Sequence, residues 1–285
     1  MEQLPRLQAR IASLRELHAL IRALRVLAAS HVKEAQGALP GIRGYVEVVE
    51  DAIAEGAALL PAIDAPEVAS RSPDAGVLIV VCSEHGFVGA FNERLLDRAA
   101  AEREPGQDLV IVGRRGANLA AERGLEIARS FPMATHVNGV PEVARRVAEY
   151  LAAVTAAGIV YGSYRLNERF DAERKSILPL DPALLVGSET RRSPVHHLAP
   201  EALLQRLASE YLFAEVTRAL MESLASENGA RLRVMENANR NIGDKLDDLR
   251  RQEQTLRQEA ITEELLDVVT GSEAVLSELA AERDG

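Results

Sequence analysis

VLIVVCSEHGFVGAFNERLLDRAAA (Val77–Ala101) is the stretch on which the fold turns. Val77-Leu78-Ile79-Val80-Val81 is a continuous apolar run with no polar alternation, the pattern of a strand buried on both faces of a parallel sheet. A Gly-bearing turn follows, then a helical stretch from about Asn92 to Arg103. Leu109-Val110-Ile111-Val112-Gly113 repeats the scheme, with a helix from about Arg115 to Arg123. A third helix is predicted over Val140 to Ala157, and strands near Gly158–Tyr164 and Lys175–Leu180. Strands alternating with helices argue for a small α/β domain spanning residues 75–187. Pro61–Ala75 is its leading linker, and the polar, Pro-bounded SETRRSPVHHLAP (Ser188–Pro200) is its exit.

On either side of this domain the period changes to that of a helix. Residues 1–60 place Leu7, Ile11, Leu14, Leu17 (or His18), Ile21, Leu24 and Ala28 three or four apart, one apolar face of a helix. Pro40-Gly41 predicts a kink or brief break, after which Tyr45, Val48, Val49 and Ile53 resume the seam. Residues 200–280 carry Leu203, Leu207, Tyr211, Ala214, Thr217, Met221 and Leu224 on one face. Met235, Ala238, Ile242, Leu246 and Leu249 continue it, then Leu256, Ala260, Leu265 and Val268. Helices of roughly 80 and 110 Å, at 1.5 Å per residue, are too long to cover a small domain and read as coiled-coil or partner-shielded elements. The predicted fold is thus α/β, a Rossmann-like domain inserted between long N- and C-terminal helices that form an antiparallel coiled coil.

Composition narrows the function. The 285 residues are 47% hydrophobic but only 4% aromatic, with no Trp, so Ala, Leu and Val supply the apolar surface and narrow helical seams are favoured over large aromatic cores. A net charge of −10 argues against nucleic acid as a partner. Residues 1–36 carry six Arg/Lys against three Asp/Glu, whereas residues 201–285 carry ten against eighteen. Opposite charge suits two helices that pair along their length, although exposed ion pairs add only tenths of a kcal/mol each, so the apolar seams dominate. Cys82 is the only cysteine, which rules out an intrachain disulfide and suggests a reducing compartment. The N-terminus has no apolar core of signal-peptide length, and no apolar run approaches the ~18 residues of a membrane span.

Candidate chemistry is sparse. The loop SEHGFVGAFN (Ser83–Asn92) joins a strand to a helix, where backbone N–H groups can cradle a phosphate. Gly86 and Gly89 nevertheless fit neither phosphate-binding glycine pattern, and Gly113 and Gly116 after the second strand are a weaker match still. Ser83, Glu84 and His85 are consecutive and lack the G-x-S-x-G elbow of a hydrolase. His196-His197 has no third ligand at metal spacing. Asp244, Asp247 and Asp248 read as a charged helix face. No catalytic residue, cofactor or metal is expected. The cluster Asn237, Asn239, Asn241 and Gly243 reads as a local hinge or cap in an otherwise strong helix, or as a slot for a partner.

Three motifs carry a family resemblance. SLASENGARL (Ser223–Leu232), MENANRNIGDKLDDL (Met235–Leu249) and LRQEAITEELLDVVTGSEAV (Leu256–Val275) together resemble the C-terminal signature of ATP synthase gamma subunits. IASLRELHALIRALRVLAASHVKEAQ (Ile11–Gln36) is similar to that family's N-terminal helix, and SEHGFVGAFN to its S-D-R-G-L-C-G-x-x-N loop. The resemblance implies a non-catalytic rotor shaft whose paired helices enter a ring of alternating alpha and beta subunits. Its α/β domain would meet the epsilon subunit and the ion-translocating c-ring. It further implies a peripheral protein at the cytoplasmic face of the cell membrane, reaching the membrane only through the complex. By motif, Arg257, Gln258, Thr262 and Glu264 would contact the surrounding subunits, and Leu24 stands where the family has a Met associated with coupling. His85, Val88 and Ala90 replace the usual Arg, Cys and Gly, which marks a divergent branch. The competing reading is an independent α/β nucleotide-binding protein with helical extensions.

Overall fold

The computed structural model describes residues 3–59, 76–165, 169–185 and 197–283. The predicted linker 61–75, and the exit segment as far as His196, lie outside them. Two long helices, α1 (Gln3–Ala57) and α5 (Pro200–Arg283), flank a mixed α/β domain. Between them run β1 (Val77–Val81), α2 (Phe91–Glu102), β2 (Asp108–Val112), α3 (Arg114–Glu122), β3 (Arg129–Phe131), α4 (Val140–Leu151), β4 (Ala157–Tyr164) and β5 (Phe170–Leu178).

The five strands are ordered β3-β2-β1-β4-β5. All neighbouring pairs are parallel except β4–β5, which is antiparallel. The β1 run is buried at every position because both sheet faces are covered. Val77, Ile79 and Val81 enter a cluster with α4 and with parts of α1 and α5. Leu78, Val80 and Cys82 enter the opposite cluster, with α2 and α3. The short edge strand β3 was not foreseen, since RSF buries only Phe131 and has no period to read. β5 starts five residues earlier than expected. An edge strand with a half-exposed, charged middle looks like loop in sequence. α4 stops at Leu151, short of the predicted Ala157, which instead opens β4.

The chain divides into two compact units. One contains residues 25–234 and the other residues 1–24 with 235–285. Of the kink or brief break expected at Pro40, the break does not occur: in the first unit the α1 helix continues through it. Leu39, Val46, Val49 and Ile53 are buried in the same cluster as the α5 residues Tyr211 to Ala225. This packing outweighs the one backbone hydrogen bond that proline removes. In the second unit α1 and α5 pair antiparallel. Ile11 is buried with Leu246 and Leu249, while Leu7, Leu14 and Ile242 pack around them. Gln8 bonds Glu253 at 3.0 Å and His18 bonds Asn239 at 2.9 Å. His18 rather than Leu17 therefore belongs to the seam, and Leu17 is exposed. The asparagine cluster does not end or cap a helix: α5 is continuous through it, and Asn239 is used as a partner for His18.

Gly113, just before α3, tests how tightly β1 and β2 end together. It has φ of 108°, and a Cβ there would lie 2.5 Å from the Cys82 carbonyl oxygen. Gly113→Ala is expected to lower stability by about 2–3 kcal/mol, from strain plus backbone overlap. Gly37→Ala, in mid-helix with nothing within 4 Å of the added methyl, should instead add up to about 1 kcal/mol. Urea midpoints of the two variants measure the contrast.

Candidate functional site

In a doubly wound sheet, ligands bind beyond the carboxyl ends of the strands, where the strand order reverses. Here that point lies between β1 and β4, with the loop Ser83–Asn92 above it. The loop is held by its own polar groups. Ser83 N–H donates to Asn92 Oδ1 at 2.8 Å, and Asn92 Nδ2 donates back to Ser83 Oγ at 2.8 Å. Ser83 Oγ in turn donates to the His85 carbonyl at 2.9 Å. The hydroxyl is thus committed to the backbone, away from any base, and the Ser-Glu-His sequence has no nucleophile arrangement.

Glu84 is buried and sits at the N-terminus of α3, an end that attracts anions. Its carboxylate accepts the Arg114 N–H at the start of α3 (3.0 Å) and the Met133 N–H beyond β3 (2.9 Å), and pairs with the Arg114 guanidinium. Burial alone would raise its pKa. The two backbone donors and Arg114 overcome that and hold the carboxyl below its ordinary value. A helix N-terminus that would attract an external anion is neutralised from within.

α5 fills the rest of the crevice. Ser223 Oγ donates to the Val81 carbonyl at 2.9 Å and accepts the Gly162 N–H at 3.3 Å, so one hydroxyl bridges β1 and β4. Ser226 Oγ donates to the Gly162 carbonyl at 2.8 Å. Glu227 is buried, takes the Glu84 N–H and pairs with Arg231. Arg231 also donates to Asn228 Oδ1 (2.8 Å) and to the Gly86 carbonyl (3.4 Å). The SEHGFVGAFN loop and the ASENGAR segment, two separate motif matches, therefore form one buried polar assembly. Gly116 belongs to it sterically, since a methyl there would overlap the Cys82 side chain. Burial, aided by Glu227, pushes the Cys82 thiol well above its usual range, so it is no reactive thiolate.

The sequence-predicted contact residues lie elsewhere. Arg257, Gln258, Thr262 and Glu264 are exposed on α5. Arg257 reaches Glu253 at 3.5 Å, and Thr262 Oγ1 donates to the Gln258 carbonyl at 2.9 Å. Leu24 is half-buried on α1. His197 is exposed, and its neighbour His196 lies outside the described residues. Among the described residues no group of three His, Cys, Asp or Glu side chains is placed to hold a metal, and no helix is long and apolar enough to cross a membrane. Sequence reasoning missed the buried carboxylates Glu215, Glu222 and Glu227. The available signal was acidic residues interleaved among the apolar positions Tyr211, Ala214, Met221 and Leu224.

Burial raises the Glu227 pKa to about 7, with Arg231 pulling it back. Between the unfolded carboxyl value and about 7 the native state holds the extra proton, so this group's contribution to stability falls as pH rises. Glu84 acts in the opposite sense: its contribution is present at neutral pH and lost on acidification. Glu227→Gln should therefore gain on the parent by on the order of 1–3 kcal/mol between pH 5 and pH 8, measured by chemical denaturation at both.

Comparison with known proteins agrees with this geometry. A family model described as ATP synthase matches residues 3–275. The ATP synthase gamma chain of Moorella thermoacetica is 28% identical over 282 residues, covering 94% of this chain and 98% of that one. That of Anaeromyxobacter sp. strain Fw109-5 is 29% identical over 290 residues, covering 96% and 100%. Among solved structures, a chain of the Euglena gracilis mitochondrial ATP synthase in rotational state 3 superposes with a TM-score of 0.66 at 13% identity, covering 96% and 95%. A chain of the Tetrahymena thermophila mitochondrial central stalk and c-ring superposes at 0.54 with 19% identity, covering 77% and 99%. The fold, the matched motifs and the near-complete alignment place this chain in the ATP synthase gamma-chain family.

Proposed function

We propose that the chain is the central shaft of a rotary ATP synthase, coupling proton or sodium translocation to ATP synthesis or hydrolysis by turning inside a ring of alternating alpha and beta subunits. The gamma chain of this family is non-catalytic, the catalytic sites being on beta. The observation that carries the reading is the state of α5 from Arg257 to Ser272. Every residue there is exposed, although the segment includes Ile261, Leu265, Leu266, Val268 and Val269, each more than half exposed. A helix that leaves so broad an apolar face open to water requires a surface to cover it. In this reading Arg257, Gln258, Thr262 and Glu264 present the polar contacts to the alpha and beta subunits, and Leu24 contributes from α1. The α/β domain meets the epsilon subunit and the c-ring at the cytoplasmic face of the membrane.

An independent nucleotide-binding role has no support from the crevice, where Ser223 and Ser226 take the β1 and β4 backbone groups, or from the α3 N-terminus, which Glu84 takes. Co-expression with the neighbouring alpha and beta subunits, followed by an ATPase assay with and without this chain, tests the shaft reading. A single complex whose hydrolysis depends on the chain is expected. No complex, with ATP or ADP bound by the isolated chain, would overturn it. Leu265→Asp with Val268→Asp provides the residue-level test. Both positions are exposed, so thermal unfolding of the isolated chain should shift by less than about 0.5 kcal/mol per substitution. ATPase activation in the complex should nevertheless fall about tenfold or more, the effect of placing charge in an apolar contact.

A further inference from the structure

Between Tyr211 and Asn228 α5 is buried on nearly every side, where a helix is normally apolar all round. It instead carries Glu215, Thr217, Glu222, Ser223, Ser226, Glu227 and Asn228 inside. Glu215 and Glu222, one heptad apart and so on one face, are 1% and 3% exposed and reach outward from α5 to different elements. Glu215 pairs with Lys175 of β5 at 2.8 Å and with Arg218 at 2.9 Å. Glu222 pairs with Arg43 of α1 at 2.7 Å and accepts the Tyr164 N–H at the end of β4 at 3.1 Å.

Buried ion pairs are weak stabilisers, because desolvation cancels most of their attraction and apolar replacements of similar volume are often neutral or better. Their distinguishing property is direction. Apolar contact is non-directional, whereas a charge-assisted hydrogen bond holds only at one register and one rotation of the helix. We propose that Glu215 and Glu222 are positioning residues that key α5 to the sheet and to α1, so that turning force passes between the α/β domain and the helix through these bonds. Arg43 and Lys175 are half and one-third exposed, so they can return to water when their partner is removed. The Tyr164 N–H, bonded to the Glu222 carboxylate at 3.1 Å, reports directly on the loss of the key.

The inference rests on the shaft reading. Its test uses the assembled complex in sealed vesicles, with ions moved per ATP hydrolysed measured against an increasing opposing gradient. Glu215→Met with Glu222→Met is expected to leave hydrolysis dependent on the chain while ions per ATP under load fall about fivefold or more. In the same sample the Tyr164 amide should lose protection from hydrogen exchange. Exchanging the charges, Lys175→Glu with Glu215→Lys in a background that keeps Glu222, should restore part of the ratio lost in Glu215→Met. A merely stabilising role would lower the yield of complex without changing ions per ATP. Should the double variant reduce assembly, Glu222→Gln retains volume and one acceptor and should show an intermediate ratio. Parental ions per ATP under load in a variant whose Tyr164 amide is deprotected would overturn the inference. Hydrolysis that never depended on this chain would overturn the shaft reading and the inference with it.

Discussion

Where α5 crosses β4, a Cβ on Gly162 would lie 2.9 Å from both Ser226 Cβ and Phe91 Cε2. The helix can approach the strand this closely only because that position has no side chain. From this contact much of the unit follows. The serine hydroxyls of α5 reach the Val81 and Gly162 backbone groups at the carboxyl ends of two parallel strands. These groups would otherwise face a ligand or water. The α/β domain thereby becomes a mount for a long helix, and its binding crevice is consumed in making the mount.

The electrostatics have the same logic. Glu84 places a carboxylate on the α3 N-terminus and on a backbone N–H after β3, replacing the anion that such a site attracts. Its backbone N–H is in turn taken by Glu227. Two acidic groups so near one another cannot both be comfortable as anions. Backbone donors keep Glu84 ionised while burial drives Glu227 toward protonation. Along α5, Glu215 and Glu222 draw cations from β5 and α1 inward. Near the other end of the same helix, residues 257–272 face solvent on all sides. One helix is thus satisfied internally over one length and unsatisfied over another, as expected of an element that belongs to a larger assembly.

Much of this was legible. The β1 run, the alternation of strands and helices, and the two long helical seams follow from apolar spacing alone, because burial on two faces and burial along one stripe leave different periods in a sequence. The contrast between Leu17 and His18 could not be resolved that way. The two are adjacent, and only the position of Asn239 on the opposing helix selects His18. Pro40 does not interrupt α1 for a related reason: its local cost is real, but the packing of Leu39, Val46 and Ile53 exceeds it. β3 and the start of β5 left no signal, since edge strands are short or polar.

Taken by itself, the sequence determined the class of the fold, the order of its elements and the family motifs at both ends and at the β1–α2 loop. These are properties of residue type at local spacing, which a linear chain records directly. Only the tertiary structure decided that the loop and the ASENGAR segment, some 140 residues apart in the chain as Arg231 and Gly86 are, form one assembly. It likewise decided that Glu215 and Glu222 point inward. An acidic residue on a helix looks the same in sequence whether it meets water or a buried cation. The difference lies in which strand or helix passes beside it, and that is set by the packing of distant segments.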